Sequence, residues 1–164
     1  MTREHREAEI RDYVGYLDRV RNAVLEEARA PGARVTVLGF SQGVHTAARW
    51  AVLGERPPER LVLWGEYLPP DLDMELAARR LDGVDLVLVM GERDLARRED
   101  LARDQVERLE TWGVAHRAAT HAGVLLVTFQ EARHVGYEVL CRGIREGTWT
   151  GTWTATRQGP WDGT

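Results

Sequence analysis

Arg34-Val-Thr-Val-Leu38, Gly39-Phe40-Ser41-Gln42-Gly43 and Val44-His-Thr-Ala-Ala-Arg-Trp-Ala-Val-Leu53 follow one another without interruption. The first is β-branched and apolar and reads as a buried strand. The last carries Val44, Ala47, Ala48, Ala51 and Val52 on one face and reads as a helix. Between them, small residues surround the only serine of the chain. A G-x-S-x-G sequence in a strand–turn–helix setting is a nucleophile elbow: a sharp bend that lifts a hydroxyl clear of the sheet. The bend strains the serine backbone, and glycines two residues to either side, Gly39 and Gly43, are expected because larger residues would clash. The turn also sets the Gln42 backbone N–H and a helix N-terminus beside the hydroxyl, where developing negative charge is stabilised.

The same elements recur on both sides of this stretch. Before it, apolar residues at 10, 13, 14, 17, 20, 24, 25 and 28 predict one long amphipathic helix over 3–29, stopped by Pro31-Gly32. After it come a short buried strand, Leu61-Val-Leu-Trp64, and a short helix from Pro69-Pro70-Asp71 to about Leu81, with Asp71 as its expected N-cap. A third strand, Val84–Met90, follows the Asp82-Gly83 turn, and Leu101, Gln105, Leu109 and Trp112 mark a helix ending at Gly113. Residues 114–123 read as a loop, Val124–Phe129 as a fourth strand, and Val135, Val139, Leu140 and Ile144 as a last helix. Continuously apolar strands separated by helices predict an α/β fold: a three-layer α/β/α sandwich on a mostly parallel sheet of about four strands. Residues 1–147 form a single domain on this reading. The Thr/Trp/Gly-rich tail 148–164 has strict period two over 148–156 and reads either as a strand or as a low-complexity segment.

A chain of 164 residues, 43% hydrophobic and 29% charged, fits one ordinary globular domain. A net charge of −4, with arginines interleaved among acids, argues against a nucleic-acid partner. All 22 basic side chains are arginine. Cys141 is alone, so neither an intrachain disulfide nor a cysteine zinc site is expected. The polar N-terminus carries no signal-like apolar core, and no apolar run is long enough to span a bilayer, so the expected location is cytoplasmic.

A serine hydroxyl becomes a useful nucleophile when a base removes its proton and an acid orients that base. In an open α/β sheet these groups gather in loops beyond the carboxyl ends of the strands. Asp94 follows the third strand in Gly91-Glu-Arg-Asp94 and is the expected acid; Asp100 lies farther into a helix, and Asp85 is at the wrong end of the strand. His134 follows the predicted fourth strand and is the expected base. His121 precedes that strand, which would put it at the opposite edge of the sheet. His45 lies within the elbow helix, and His116 and His5 read as surface residues.

Gly39-Phe-Ser-Gln-Gly43, Gly91-Glu-Arg-Asp94 and His134, in this order, resemble the α/β-hydrolase superfamily. The elbow spelling resembles in particular its phospholipase/carboxylesterase group, over about residues 10–146. The resemblance implies a cytosolic enzyme without cofactor or metal that cleaves carboxylic or thio esters of short to medium acyl chains. Ser41 would be the nucleophile, Asp94 the orienting acid, His134 the general base and the Gln42 N–H an oxyanion donor. Three departures accompany it. Leu95-Ala96 stands where the family has a proline after the acid. Ala132-Arg133 stands where the family has glycines before the histidine. The sequence opens on the helix leading into the elbow strand, so on this resemblance it is expected to match the C-terminal half of the fold, without the early loop that supplies the family's second oxyanion donor.

Weak ester hydrolysis is therefore expected; the alternatives are a thioesterase and an inactive hydrolase remnant that survives as an oligomeric or binding protein. The outer edge of strand 34–39 would be bare, and a bare apolar edge demands a partner. A second copy pairing across a two-fold axis, giving a homodimer, and the period-two tail are the two expected covers.

Overall fold

A computed structural model describes residues 2–91 and 98–121. It shows an α/β fold in which four parallel strands, in the order β1-β2-β3-β4, are flanked by helices. The elements run α1 (Arg3–Glu27), β1 (Thr36–Phe40), α2 (Gly43–Leu53), β2 (Arg60–Trp64), α3 (Met74–Arg80), β3 (Asp85–Gly91), α4 (Glu99–Thr111) and β4 (Arg117–His121). The α/β class and the parallel four-stranded sheet are as expected, and α2, α3 and α4 all contribute to one core cluster on one face of that sheet.

Helix boundaries follow local chemistry. The Thr2 hydroxyl accepts from the His5 amide at 3.3 Å and starts α1. Asp73 caps α3, its Oδ1 accepting from the Leu76 amide at 2.9 Å. The expected cap, Asp71, therefore lies two residues too early. Its carboxylate is taken instead by Arg49 at 2.6 Å and Arg6 at 3.0 Å, which removes it from competition for the helix amides. Gly83, at φ 74°, makes the left-handed turn from α3 into β3, where a side chain would be strained.

The strand order advances one place with each crossover. Right-handed crossovers that always step in one direction put every connecting helix on the same face. The main core has this composition. Leu61 and Leu63 of β2 and Leu86 and Leu88 of β3 pack with Val44, Ala48 and Val52 of α2, Met74 and Ala77 of α3, and Leu109 of α4. The alternate residues, Val62, Trp64 and Val89, form a second buried cluster on the other face of the sheet, with Val87 and Ala119 against it. Burial of both faces is why β2 and β3 are continuously apolar.

The fourth strand differs from expectation. It is Arg117–His121, inside the stretch read as a loop, and it pairs in parallel with β3 from Val87↔Arg117 to Gly91↔His121. Arg-Ala-Ala-Thr-His has no apolar run to announce a strand. Its place comes from the β3 ladder and from the Arg117 guanidinium, which sits on Asp85 at 2.7 Å. Val124–Phe129, the predicted strand, lies outside the described residues, as do the last predicted helix and the tail 148–164.

Candidate active site at the carboxyl edge of the sheet

β1 ends at Phe40, and Ser41 turns the chain at φ 51°, one of two non-glycine residues with positive φ among those described. Its amide donates to the Trp64 carbonyl at 2.8 Å and its carbonyl accepts from the Val44 amide at 2.9 Å. The bend is thus pinned to β2 on one side and to the first turn of α2 on the other. Gln42 occupies the N-cap of α2 and is exposed, with backbone angles already helical. The amides opening α2 and the positive end of its dipole lie directly after Ser41.

The two flanking glycines are not equivalent. A Cβ on Gly39 would stand 2.7 Å from the Gly43 carbonyl oxygen and 2.8 Å from both Ala47 Cβ and Val44 Cα. Strand β1 touches α2 at that point, and only a hydrogen atom fits. A Cβ on Gly43 would meet nothing within 4 Å. The expected clash therefore exists at Gly39 and not at Gly43, because the helix leaves the elbow outward from Gly43.

Register places the rest of the edge. Phe40, Trp64, Val89 and Ala119 lie on one rung across the four strands. β3 and β4 run two residues farther, to Gly91 and His121, or roughly 7 Å beyond that rung. Gly91 ends β3 on this same edge, two strands or roughly 10 Å across from β1. Asp94 and His134 themselves lie outside the described residues.

The structure changes the standing of His121. It ends β4, at the carboxyl edge, whereas the predicted strand at 124–129 had put it at the amino edge. Its backbone is three strands, or roughly 14 Å, across the sheet from β1. The sequence concealed this because β4 itself carried no apolar signal. His116 precedes β4 at the amino edge, its Nδ1 3.1 Å from the Val114 carbonyl oxygen. His45 is half-buried on α2, and His5 is exposed on α1. Asp85 opens β3 at the amino edge and is held by Arg60 and Arg117; Asp100 lies in the first turn of α4 and pairs with Arg98.

Around the edge, the loop after β2 is fastened to α4. The Tyr67 hydroxyl accepts from the Arg98 amide at 2.6 Å and donates to the Arg98 carbonyl at 2.9 Å. The Leu68 amide donates to Gln105 Oε1 at 2.6 Å inside the core. Beneath α1, Asp71 joins Arg49 and Arg6. Burial pushes its carboxyl up, but the hydrogen bond and charge of Arg49, aided by Arg6, outweigh this and hold it below the usual carboxylate range. Among the described residues no group of three or more His, Cys, Asp or Glu side chains is placed to hold a metal ion, and no helix is long and apolar enough to cross a membrane.

No protein-family model matches the chain, and no curated protein sequence is similar to it.

Proposed function

We propose that the chain is a serine hydrolase of carboxylic esters with short to medium acyl chains, using Ser41, His134 and Asp94. The observation that carries the reading is Ser41 itself: a non-glycine residue at φ 51°, between a parallel strand and a helix, with Gly39 jammed against that helix. Strain of this kind persists where the surrounding structure enforces it, and such positions cluster at functional sites.

In the proposed cycle, Ser41 Oγ attacks the acyl carbonyl carbon while the His134 imidazole takes its proton. The Gln42 N–H hydrogen-bonds the oxyanion of the tetrahedral intermediate. Collapse breaks the ester C–O bond, and the imidazolium returns its proton to the leaving alcohol. Water, deprotonated by the same imidazole, then attacks the acyl carbon; the Ser41 Oγ–acyl bond breaks, the imidazolium returns its proton to Oγ, and the acid leaves. Asp94 keeps the imidazole oriented and stabilises its charged form. The cycle needs no cofactor or metal, and a cytoplasmic setting goes with it, as in the esterases the chain resembles.

Self-association accompanies this reading. Among the described residues β1 is terminal in the sheet, and Leu38 and Phe40 on it are exposed by more than a third. No charge interrupts Val35–Phe40 to discourage edge pairing. The proposed partner is a second copy joined along this edge.

A fluorophosphonate probe tests the chemistry. Labelling of the wild-type protein that disappears in Ser41→Ala supports the proposal; a folded wild-type protein that takes no label overturns it. A p-nitrophenyl ester series then ranks acyl length, with the highest rates expected for short chains.

A further inference from the structure

We propose that Glu66 sets the charge preference of the site, favouring esters that carry an ammonium group over neutral or anionic ones; the inference rests on the hydrolase reading above. The place of Glu66 follows from register. Phe40 lies opposite Trp64, the Ser41 amide bonds the Trp64 carbonyl, and the Gly65 amide bonds the Val89 carbonyl. The ladder therefore reaches Gly65 at the level of Ser41, and Gly65, at φ 75°, turns the chain there. Glu66 is the next residue. Its backbone stands one strand across from Ser41, about 4.8 Å, and one residue, about 3.3 Å, farther out.

The carboxylate is fixed but not neutralised. Glu66 is half-buried, and its Oε1 accepts from the Tyr67 amide at 2.9 Å. Among the described residues no guanidinium pairs with it. Nearby carboxylates differ: Asp71 is taken by Arg49 and Arg6, and Asp100 by Arg98. A chain with 22 arginines thus leaves this carboxylate, beside its strained serine, without a described cation. A partly desolvated charge gains most from a counter-ion, and a cationic substrate group supplies one.

Acyl transfer makes the same demand. Attack by Ser41 Oγ puts negative charge on the carbonyl oxygen beside the Gln42 N–H. Glu66 lies inside the Debye length of about 8 Å, so its charge opposes that oxyanion with little screening by salt. An ammonium group on the substrate offsets both negative charges at once. Neutral esters have no such group, and anionic esters are repelled.

The test compares acetylcholine with its uncharged isostere, 3,3-dimethylbutyl acetate, on wild type, Ser41→Ala and Glu66→Gln, alongside fluorophosphonate labelling. Glutamine keeps an acceptor for the Tyr67 amide and removes only the charge. The wild-type kcat/KM should be about tenfold higher for acetylcholine, and the ratio should shrink as salt is raised. Glu66→Gln should bring the two esters within about twofold of each other, with the neutral ester hydrolysed as fast as before or faster. A merely structural role would slow both esters together. A labelled wild type without the preference, or a preference that survives in Glu66→Gln, overturns the role of Glu66 and leaves the hydrolase reading standing. A folded wild-type protein that takes no label overturns both.

Discussion

The Ser41 amide still pairs with the Trp64 carbonyl, at 2.8 Å, although Ser41 has already left the extended conformation of β1. The parallel ladder therefore continues one donor beyond the strand, and the chain turns into α2 against a fixed neighbour. This bond keeps a strained residue in one conformation. It also brings the loop after β2, which Tyr67 ties to Arg98 at the start of α4, into the same frame as the elbow.

Backbone strain at Ser41 predicts a separation of stability from activity. Ser41→Gly and Ser41→Ala both remove the hydroxyl, but only glycine tolerates φ 51° without cost. Ser41→Gly should be more stable than Ser41→Ala by about 1 kcal/mol in urea unfolding. Equal midpoints would show that the bend stores no strain.

The two elbow glycines should respond in opposite ways. Gly39→Ala forces a methyl against the Gly43 carbonyl and α2, and should destabilise by about 1–3 kcal/mol. Gly43→Ala enters open space at the start of a helix and should be neutral or gain up to about 1 kcal/mol. Thermal unfolding of the pair, monitored by circular dichroism, reads the contrast.

Asp18 should be a structural anchor of α1. It is buried, and its carboxylate accepts from Trp50 Nε1 at 2.8 Å and from the Glu55 amide at 3.1 Å. Asp18→Ala strands both donors and should cost about 1–3 kcal/mol. Asp12→Ala, on the exposed side of the same helix, is the control expected to leave the midpoint unchanged.

Acid should destabilise the fold through its paired carboxylates. Asp71 and Asp85 both titrate below the usual range. Burial opposes this in each, but Arg49 and Arg6 overcome it at Asp71, and Arg117 and Arg60 at Asp85. A depressed folded pKa gives stability that is present above the unfolded value near 4 and lost as pH falls through the folded value. Urea midpoints should therefore drop below about pH 4, and Asp71→Asn should flatten that slope.

The edge of β1 should control mass. Sedimentation of the wild-type protein should show a dimer or larger species. Leu38→Arg, which places a charge on an exposed position of the edge strand, should return it to a monomer that remains folded by circular dichroism. A wild-type mass that stays monomeric at all concentrations excludes the second copy as partner.

The sequence determined most of the layered fold. Val62, Leu63, Leu86 and Leu88 could only belong to strands buried on both faces, and the stretch around Ser41 could only bend between a strand and a helix. Hydrophobic periodicity and small-residue spacing are local properties, and a linear chain displays them. Tertiary structure decided three other matters. It made Arg117–His121 a strand, because β3 and Asp85 hold a segment with little strand character of its own. It moved the cap of α3 from Asp71 to Asp73, because Arg49 and Arg6 claimed the earlier carboxylate. It distinguished Gly39 from Gly43, which the motif treats alike, because only one of them faces the helix it precedes. Each outcome depends on which distant group arrives nearby, and folding alone creates that proximity.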